Sequence, residues 1–274
     1  MAITMADITH LRKMTGAGMM DCKNALTESE GDFDKAIEII RKKGQAVAAK
    51  RSDRDASEGC VLGKVDGKYA AIIALKCETD FVAKNADFIA LTTGILDLAL
   101  ANKCADIEAV KTLPLGKGTV ADAVTDRSGI TGEKMELDGY FFVEGETVAV
   151  YIHPGNKLAT IVALNQAGVD TQVAREVAMQ VAAMNPIAVD PASVPADVLV
   201  REKEIAADKA RQEGKPENMI DKIAEGRIGK FYKEACLLEQ EYVKNTKQTI
   251  AQFLNAHSKG LTVTAFRRFT LNAE

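Results

Sequence analysis

Two apolar runs of nearly the same sequence place the strongest constraint on the fold of this 274-residue chain. Residues 69–75 read YAAIIAL, and residues 158–164 read LATIVAL. Successive side chains of a strand point to opposite faces of a sheet, so a run that is apolar throughout has to be covered on both faces. Both runs are therefore predicted to be central strands, and their similarity indicates an internal repeat of two α+β halves.

Each run lies in the same local pattern of two strands followed by a helix. In the first half, residues 61–65 and 68–77 are strand candidates joined by a tight Asp-Gly turn. In the second half, residues 147–152 and 158–165 are the corresponding strands, and Asp170 is the predicted N-cap of the helix that follows. The pattern predicts antiparallel sheets in both halves.

A further hairpin is predicted for residues 134–143, with its turn at Glu144-Gly145, as an extension of the second half. Ahead of it, residues 116–121 match the Gly-x-Gly-x-x-Ala dinucleotide fingerprint. That fingerprint needs a buried strand before it, whereas Pro114 breaks the short stretch found here, so a dinucleotide site is not predicted. Residues 119–122 fit a helix-capping box instead.

Helical periodicity prevails near both ends of the chain. Asp32 is a predicted N-cap, and Gly44 is predicted to end the helix that it starts. Residues 197–238 alternate in charge and carry an apolar seam, which is typical of a helical hairpin or short antiparallel coiled coil. The predicted units are a three-helix module (1–44), a linker (45–57), two core halves (58–110 and 111–196), the hairpin (197–238) and a return to the core (239–274).

Composition excludes several classes of function. A net charge of −4, 5% aromatic residues and no Trp argue against direct binding to nucleic acid or to an anionic membrane. With three His and no HExxH, GxSxG, Walker-loop or paired-Cys pattern, no catalytic residues, metal ligands or cofactor are predicted. No apolar run reaches the about 20 residues of a membrane span, and the N-terminus is unlike a signal peptide. Five widely spaced Cys indicate reduced thiols and a cytoplasmic protein.

Two segments are unusual for parts of a core. In residues 11–26, a Gly-rich break between helices is followed by Met19 and Met20, which either pack inward or form an adaptable contact patch. Residues 77–85 lie between an apolar strand and a helix, and either Asp80 or Asn85 caps that helix. The apolar side chains of this second segment either fold back into the core or project as a wedge.

Both segments resemble signature motifs of the bacterial elongation factor Ts family, the guanine-nucleotide exchange factors of elongation factor Tu. The resemblance covers nearly the whole chain. It rests on TGAGMMDCK (15–23) and TDFVAK (79–84), with GKP (214–216), EGR (225–227) and VTAFRRF (263–269) as further landmarks. It implies a UBA-like N-terminal module, an inserted antiparallel coiled-coil hairpin, and a 1:1 heterodimer with elongation factor Tu or a dimer of such heterodimers.

The resemblance also implies three sets of partner-binding residues. The set that displaces the partner's magnesium ion is Thr79, Asp80, Phe81 and Val82. The set on the N-terminal module is Arg12, Met19, Met20 and Lys23. The third contact, from the second core half, is His153. Because Mg²⁺ neutralises nucleotide phosphates, displacing it weakens GDP binding without any catalytic residue on this chain.

Two other classes of function stay open on the residues alone. An RNA- or ribosome-associated chaperone would use the basic residues of the linker, Lys50, Arg51 and Arg54, together with the helical hairpin. A thiol enzyme would need Cys22 or Cys77 to be reactive at neutral pH.

Overall fold

The computed structural model describes residues 3–271, which fold into helices and antiparallel sheets and confirm the predicted α+β class. The helices are α1 (Met5–Thr15), α2 (Met19–Glu28), α3 (Phe33–Lys50), α4 (Asp80–Ala83), α5 (Ala86–Asn102), α6 (Ile107–Thr112), α7 (Val120–Thr131), α8 (Thr171–Met184), α9 (Ala196–Gln212), α10 (Glu217–Ala235) and α11 (Ile250–His257). The strands are β1 (Glu58–Asp66), β2 (Tyr69–Cys77), β3 (Pro114–Leu115), β4 (Gly118–Thr119), β5 (Met135–Glu144), β6 (Thr147–Ile152), β7 (Leu158–Leu164), β8 (Glu241–Tyr242), β9 (Asn245–Thr249) and β10 (Val263–Thr270).

The two apolar runs are the middle strands of two three-stranded sheets. β2 lies between β1 and β5, and β7 lies between β10 and β6. Every residue of β7 is buried, as is every residue of β2 except Lys76. One face of each sheet packs on the other sheet, while α5 and α8 cover the two outer faces. The predicted burial of both strands on both faces is confirmed.

The predicted hairpin at residues 134–143 is wrong in its pairing. β5 pairs with β2 in the first sheet, whereas β6 pairs with β7 in the second. The turn between β5 and β6 is the crossing point, because the Gly145 N–H donates to Lys68 O and the Glu146 N–H donates to Leu164 O. A Cβ on Gly145 would lie 2.8 Å from the Ala163 Cβ, so glycine lets the chain pass between the packed sheets.

The predicted helix end at Gly44 is also wrong, because α3 continues to Lys50. Gly44 is buried where α3 crosses α7, and a Cβ on Gly129 of α7 would lie 2.0 Å from the Gly44 Cα. The glycine pair therefore serves a close approach of two helices rather than a helix stop. The segment predicted as a linker, residues 45–57, consequently begins in helix.

The helical hairpin forms as the alternating charges and apolar seam predict. α9 and α10 are joined by a short turn through Gly214, whose φ of +72° is a left-handed value that favours glycine. The side chains between the helices are small or aliphatic and buried, namely Ala206, Ala210, Ile220, Ala224 and Ile228. On the flank of this seam, the Arg227 guanidinium donates to Glu213 at 2.7 Å and 2.8 Å, which closes the hairpin near its tip.

Glu176 on α8 is expected to make the free energy of unfolding depend on pH. Burial alone would raise its pKa, but hydrogen bonds from Tyr242, Lys244 and Gln172 outweigh burial and lower the pKa from 4.5 to about 2. The folded-state pKa lies below the unfolded one, so this stabilisation is present above pH 4.5 and is lost as the pH falls toward 2. Allowing for solvent screening, it amounts to about 1–2 kcal/mol.

Urea unfolding at a series of pH values tests this expectation. The difference in unfolding free energy between the wild-type protein and Glu176→Gln should be largest at pH 7 and should shrink between pH 4.5 and 2. A difference that stays constant over this range would contradict the assignment. Other carboxylates are common to both proteins, so their titration cancels in the comparison.

Candidate functional site

α4 is a single helical turn that presents an aromatic ring to solvent. Phe81 is 85% exposed, while Val82 is half-buried against the first core half and Ala83 is buried. Thr79 is the N-cap, and its side-chain oxygen accepts the Val82 N–H at 3.4 Å. Of the two possibilities for the apolar pair, Phe81 therefore projects outward and Val82 packs inward.

Asp80, beside Phe81, is an ionised carboxylate. The Lys84 ammonium donates to it at 2.6 Å, and this hydrogen bond lowers the pKa of Asp80 below its usual value. Asp80 does not cap the following helix, because the Asn85 side chain does so by accepting the Asp87 N–H at 2.9 Å. An aromatic wedge and a negative charge therefore stand side by side on α4.

Glu133, which the sequence patterns did not single out, anchors the start of α4. Its carboxylate accepts the Thr79 hydroxyl at 2.6 Å, the Thr79 N–H at 3.0 Å and the Glu78 N–H at 3.2 Å. Glu133 follows Gly132, the left-handed C-cap of α7. In the sequence, Gly132 indicates the end of a helix, but no local pattern indicates that Glu133 binds Thr79, 54 residues away.

Removing this anchor is expected to loosen α4. Glu133→Ala leaves two backbone N–H groups and one hydroxyl without their acceptor, which should cost about 1–3 kcal/mol of unfolding free energy. Hydrogen–deuterium exchange at residues 78–84 should rise in this variant. Glu136→Ala is the matched control, because its ion pair with Lys134 is partly exposed. Equal exchange in the two variants would contradict the anchoring role.

The N-terminal set of predicted residues lies on the surface of α1 and α2. Met19 is 39% exposed and Met20 is 65% exposed, so neither packs fully inward. Arg12 and Lys23 are exposed as well. The Gly-rich break positions the methionines, because Gly16 closes α1 in the left-handed conformation at φ +74° and Gly18 precedes α2. Met19 and Met20 thus form an exposed methionine surface at the start of α2, and Arg12 and Lys23 are accessible on the same module.

Contacts through α7 connect the Gly-rich break before these methionines to the segment that follows α4. A Cβ on Gly16 would lie 3.6 Å from the Arg127 guanidinium of α7. Arg127 in turn reaches Asp87, in the first turn of α5, at 3.5 Å. Asp87 lies three residues after Lys84, the partner of Asp80.

The turn that carries His153 also lies near α4. His153 is exposed, and its Nδ1 is 3.0 Å from the Tyr151 hydroxyl. Further along the same turn, the Lys157 ammonium contacts Glu58 at 2.8 Å, and its charge contributes to the lowered pKa of Asp80. The turn that carries His153 thus lies close to the charges of α4, while the N-terminal module is linked to the segment after α4 through α7.

The Gly-rich fingerprint at residues 116–121 is a turn and a helix cap. Gly116 and Lys117 connect the short strands β3 and β4, with Gly116 at φ +65°. The N-terminus of α7 is already occupied, because the Asp122 carboxylate accepts the Thr119 N–H at 2.8 Å. A phosphate would have to compete with that carboxylate, so the geometry does not favour a dinucleotide site.

The thiols are poorly suited to a thiol enzyme. All five cysteines are buried. Burial raises the pKa of Cys77 to about 12 and also raises that of Cys22. A thiol with a raised pKa is protonated at neutral pH and therefore a poor nucleophile.

The basic residues after α3 are engaged within the protein. Arg51 and Arg54 both contact the Glu78 carboxylate, at 2.9 Å and 3.4 Å. This pairing reduces the positive charge that the segment could offer to RNA. Within residues 3–271, no helix is both long and apolar enough to cross a membrane.

Comparisons with known proteins agree with the resemblance seen in the motifs. A family model described as elongation factor TS matches residues 78–273. The chain is 60% identical to elongation factor Ts of Porphyromonas gingivalis, 54% identical to that of Bacteroides thetaiotaomicron and 53% identical to that of Azobacteroides pseudotrichonymphae. In all three comparisons the match covers 100% of both chains.

Proposed function

The chain belongs to the elongation factor Ts family, and on this basis we propose that it binds the GDP-bound form of elongation factor Tu and promotes the release of GDP. The observation that carries this proposal is α4, on which Phe81 is 85% exposed beside the ionised Asp80. An exposed aromatic ring on a firmly anchored turn is suited to insertion into an apolar cleft of another protein.

In the proposed mechanism, Phe81 enters the partner's GTP-binding domain and brings Asp80 toward its magnesium site. The carboxylate perturbs the polar groups that hold the ion, and the phosphates of GDP lose part of their neutralising charge. GDP and this protein are both ligands of elongation factor Tu, and the coupling between them is reciprocal. GDP therefore lowers the affinity of elongation factor Tu for this protein by the same factor by which this protein lowers its affinity for GDP. No bond is formed or broken by this chain, which acts as an exchange factor rather than as an enzyme.

The other two sets of residues supply affinity. Met19, Met20, Arg12 and Lys23 dock the N-terminal module, and His153 makes a separate contact from the turn after β6. We propose a 1:1 heterodimer, or a dimer of such heterodimers, in the bacterial cytoplasm, with no direct contact to nucleic acid. No cofactor of its own is required for this activity.

Release of fluorescent GDP tests the proposal. Elongation factor Tu from the same organism is loaded with the labelled nucleotide and mixed with this protein and excess unlabelled GDP. The dissociation rate should rise with the concentration of this protein and reach a plateau. A rate that stays at the spontaneous value at every concentration would overturn the proposed function.

Met20→Ala is expected to weaken docking rather than the exchange step. Burying its exposed side chain at an interface would contribute about 1–2 kcal/mol, so the concentration that gives half-maximal acceleration should rise about 5- to 30-fold. The plateau rate should persist because α4 is unaltered. Met184→Ala, at another exposed methionine, is the matched control and should behave as wild type. Equal curves for the two variants would contradict this docking role.

A further inference from the structure

The N-terminal module meets α7 along α3 and also at the break after α1, where a Cβ on Gly16 would lie 3.8 Å from the Ile130 side chain. Gly44 of α3 crosses Gly129 of α7, and one turn earlier Arg41 pairs with Asp126 of α7 at 3.1 Å. Another ion pair, Lys117 with Asp34, is largely exposed and contributes little. These contacts involve residues 16–44 of the module, and Arg51 lies beyond them at the end of α3.

Glu78 holds this end of α3. Its carboxylate accepts the Arg51 guanidinium at 2.9 Å and 3.1 Å, directly after the last residue of α3. The seven residues from Gly44 to Arg51 place this contact about 10 Å along the helix axis from the crossing. The Glu78 side chain is only 14% exposed, so water screens this pair less than a surface ion pair.

Glu78 is at the same time part of the structure that orients α4. Its carboxylate accepts the Lys134 N–H at 2.6 Å, while Glu133 accepts the Glu78 N–H at 3.2 Å. The segment before α4 and the segment after α7 thus each provide a glutamate carboxylate that accepts a backbone N–H of the other segment. The residue that holds the end of α3 immediately precedes the N-cap of α4, Thr79.

We propose that Glu78 is a positioning residue that couples the N-terminal module to α4, so that the methionine surface and Phe81 are presented to the partner in one fixed relative orientation. Its consequence for exchange rests on the proposed function. Two linked contact surfaces bind together with an effective concentration that depends on how well their separation is defined. Loss of the Arg51–Glu78 contact would therefore weaken association while leaving the wedge and its charge in place.

The coupling itself is tested without the partner. Spin labels on Glu28→Cys and Ala90→Cys report the distance between α2 and α5. The five native thiols are buried and are expected to label slowly. Arg51→Gln should broaden the distance distribution. Lys42→Gln removes the same charge from α3, where Lys42 pairs with Glu38 of its own helix, and should leave the distribution unchanged. Identical distributions for Arg51→Gln and Lys42→Gln would overturn the coupling.

Exchange kinetics separate positioning from a general loss of structure. Arg51→Gln should raise the half-maximal concentration about fivefold and keep the plateau rate. Arg51→Lys should restore part of the loss. The double variant Glu78→Gln with Arg51→Gln should have the same half-maximal concentration as Glu78→Gln alone, because both substitutions remove the same Arg51–Glu78 interaction. A lowered plateau rate, or losses of affinity that add in the double variant, would overturn the positioning role. If the wild-type protein does not accelerate the release of GDP, the proposed function fails. The distance measurement then decides by itself whether Glu78 couples the module to α4.

Discussion

Phe81→Ala is expected to reduce the stimulated release of GDP about 10- to 100-fold, because burying a phenylalanine side chain contributes about 1.5–3 kcal/mol. Thermal unfolding should be unchanged, since the ring is 85% exposed and its loss removes almost no packing within the chain. Stopped-flow release of fluorescent GDP from elongation factor Tu measures the first quantity. Circular dichroism during heating measures the second.

Two further variants make the result specific to the wedge. Phe81→Leu retains an apolar side chain and should keep part of the activity, whereas combining Phe81→Ala with Asp80→Ala should lower the plateau rate further. Asp80 interacts with Lys84 at the surface, so its removal should also leave the fold intact. Wild-type release rates in the correctly folded double variant would refute the assignment of α4 as the exchange element.

Gly129→Ala is expected to lower the free energy of unfolding by about 1–3 kcal/mol, the usual cost of overpacking. A Cβ at this position would lie 2.0 Å from the Gly44 Cα and 3.1 Å from the Gly44 N and C atoms. These are backbone atoms of a helix, so no side-chain rotation relieves the clash, and α3 has to move away from α7. Urea unfolding measures the loss, and faster proteolysis between the N-terminal module and the core should accompany it.

Gly226→Ala is the matched control for that substitution. Gly226 also lies within a helix, α10, but a Cβ there would meet no atom within 4 Å. Alanine is favoured over glycine in an open helical position, so this variant should be more stable by about 0.5–1 kcal/mol. The same glycine-to-alanine substitution should thus lower the free energy of unfolding at Gly129 and raise it at Gly226. A similar change in both would show that the close approach of α3 and α7 does not govern the effect.

Local sequence patterns predicted most of the elements and several of their ends. Asp32, Thr119 and Asp170 cap their helices as expected, since the capping interaction involves neighbours within three residues. The central strands were equally evident, because burial on both faces leaves a continuous apolar run in the sequence. Such signals are local, so they do not depend on knowing where the rest of the chain lies.

The errors concern choices between partners that are distant in sequence. An alternating strand such as β5 pairs equally well with a neighbour in sequence or with β2, and only the packing of the two sheets selects β2. Gly44 followed a run of basic residues, as glycine often does at a helix end, but its role is to admit Gly129. A glycine that ends a helix and one that allows close packing look the same in a single sequence.

The same division holds for the candidate site. The motif strings identified Thr79 to Val82, and with them the family, from short-range sequence alone. That Phe81 points outward, that Glu133 and Glu78 hold its turn, and that Met19 and Met20 are exposed all follow from the folded arrangement. The physical reason is that residue type and spacing govern local conformation and burial, whereas exposure and orientation of a particular side chain depend on contacts between segments far apart in the chain.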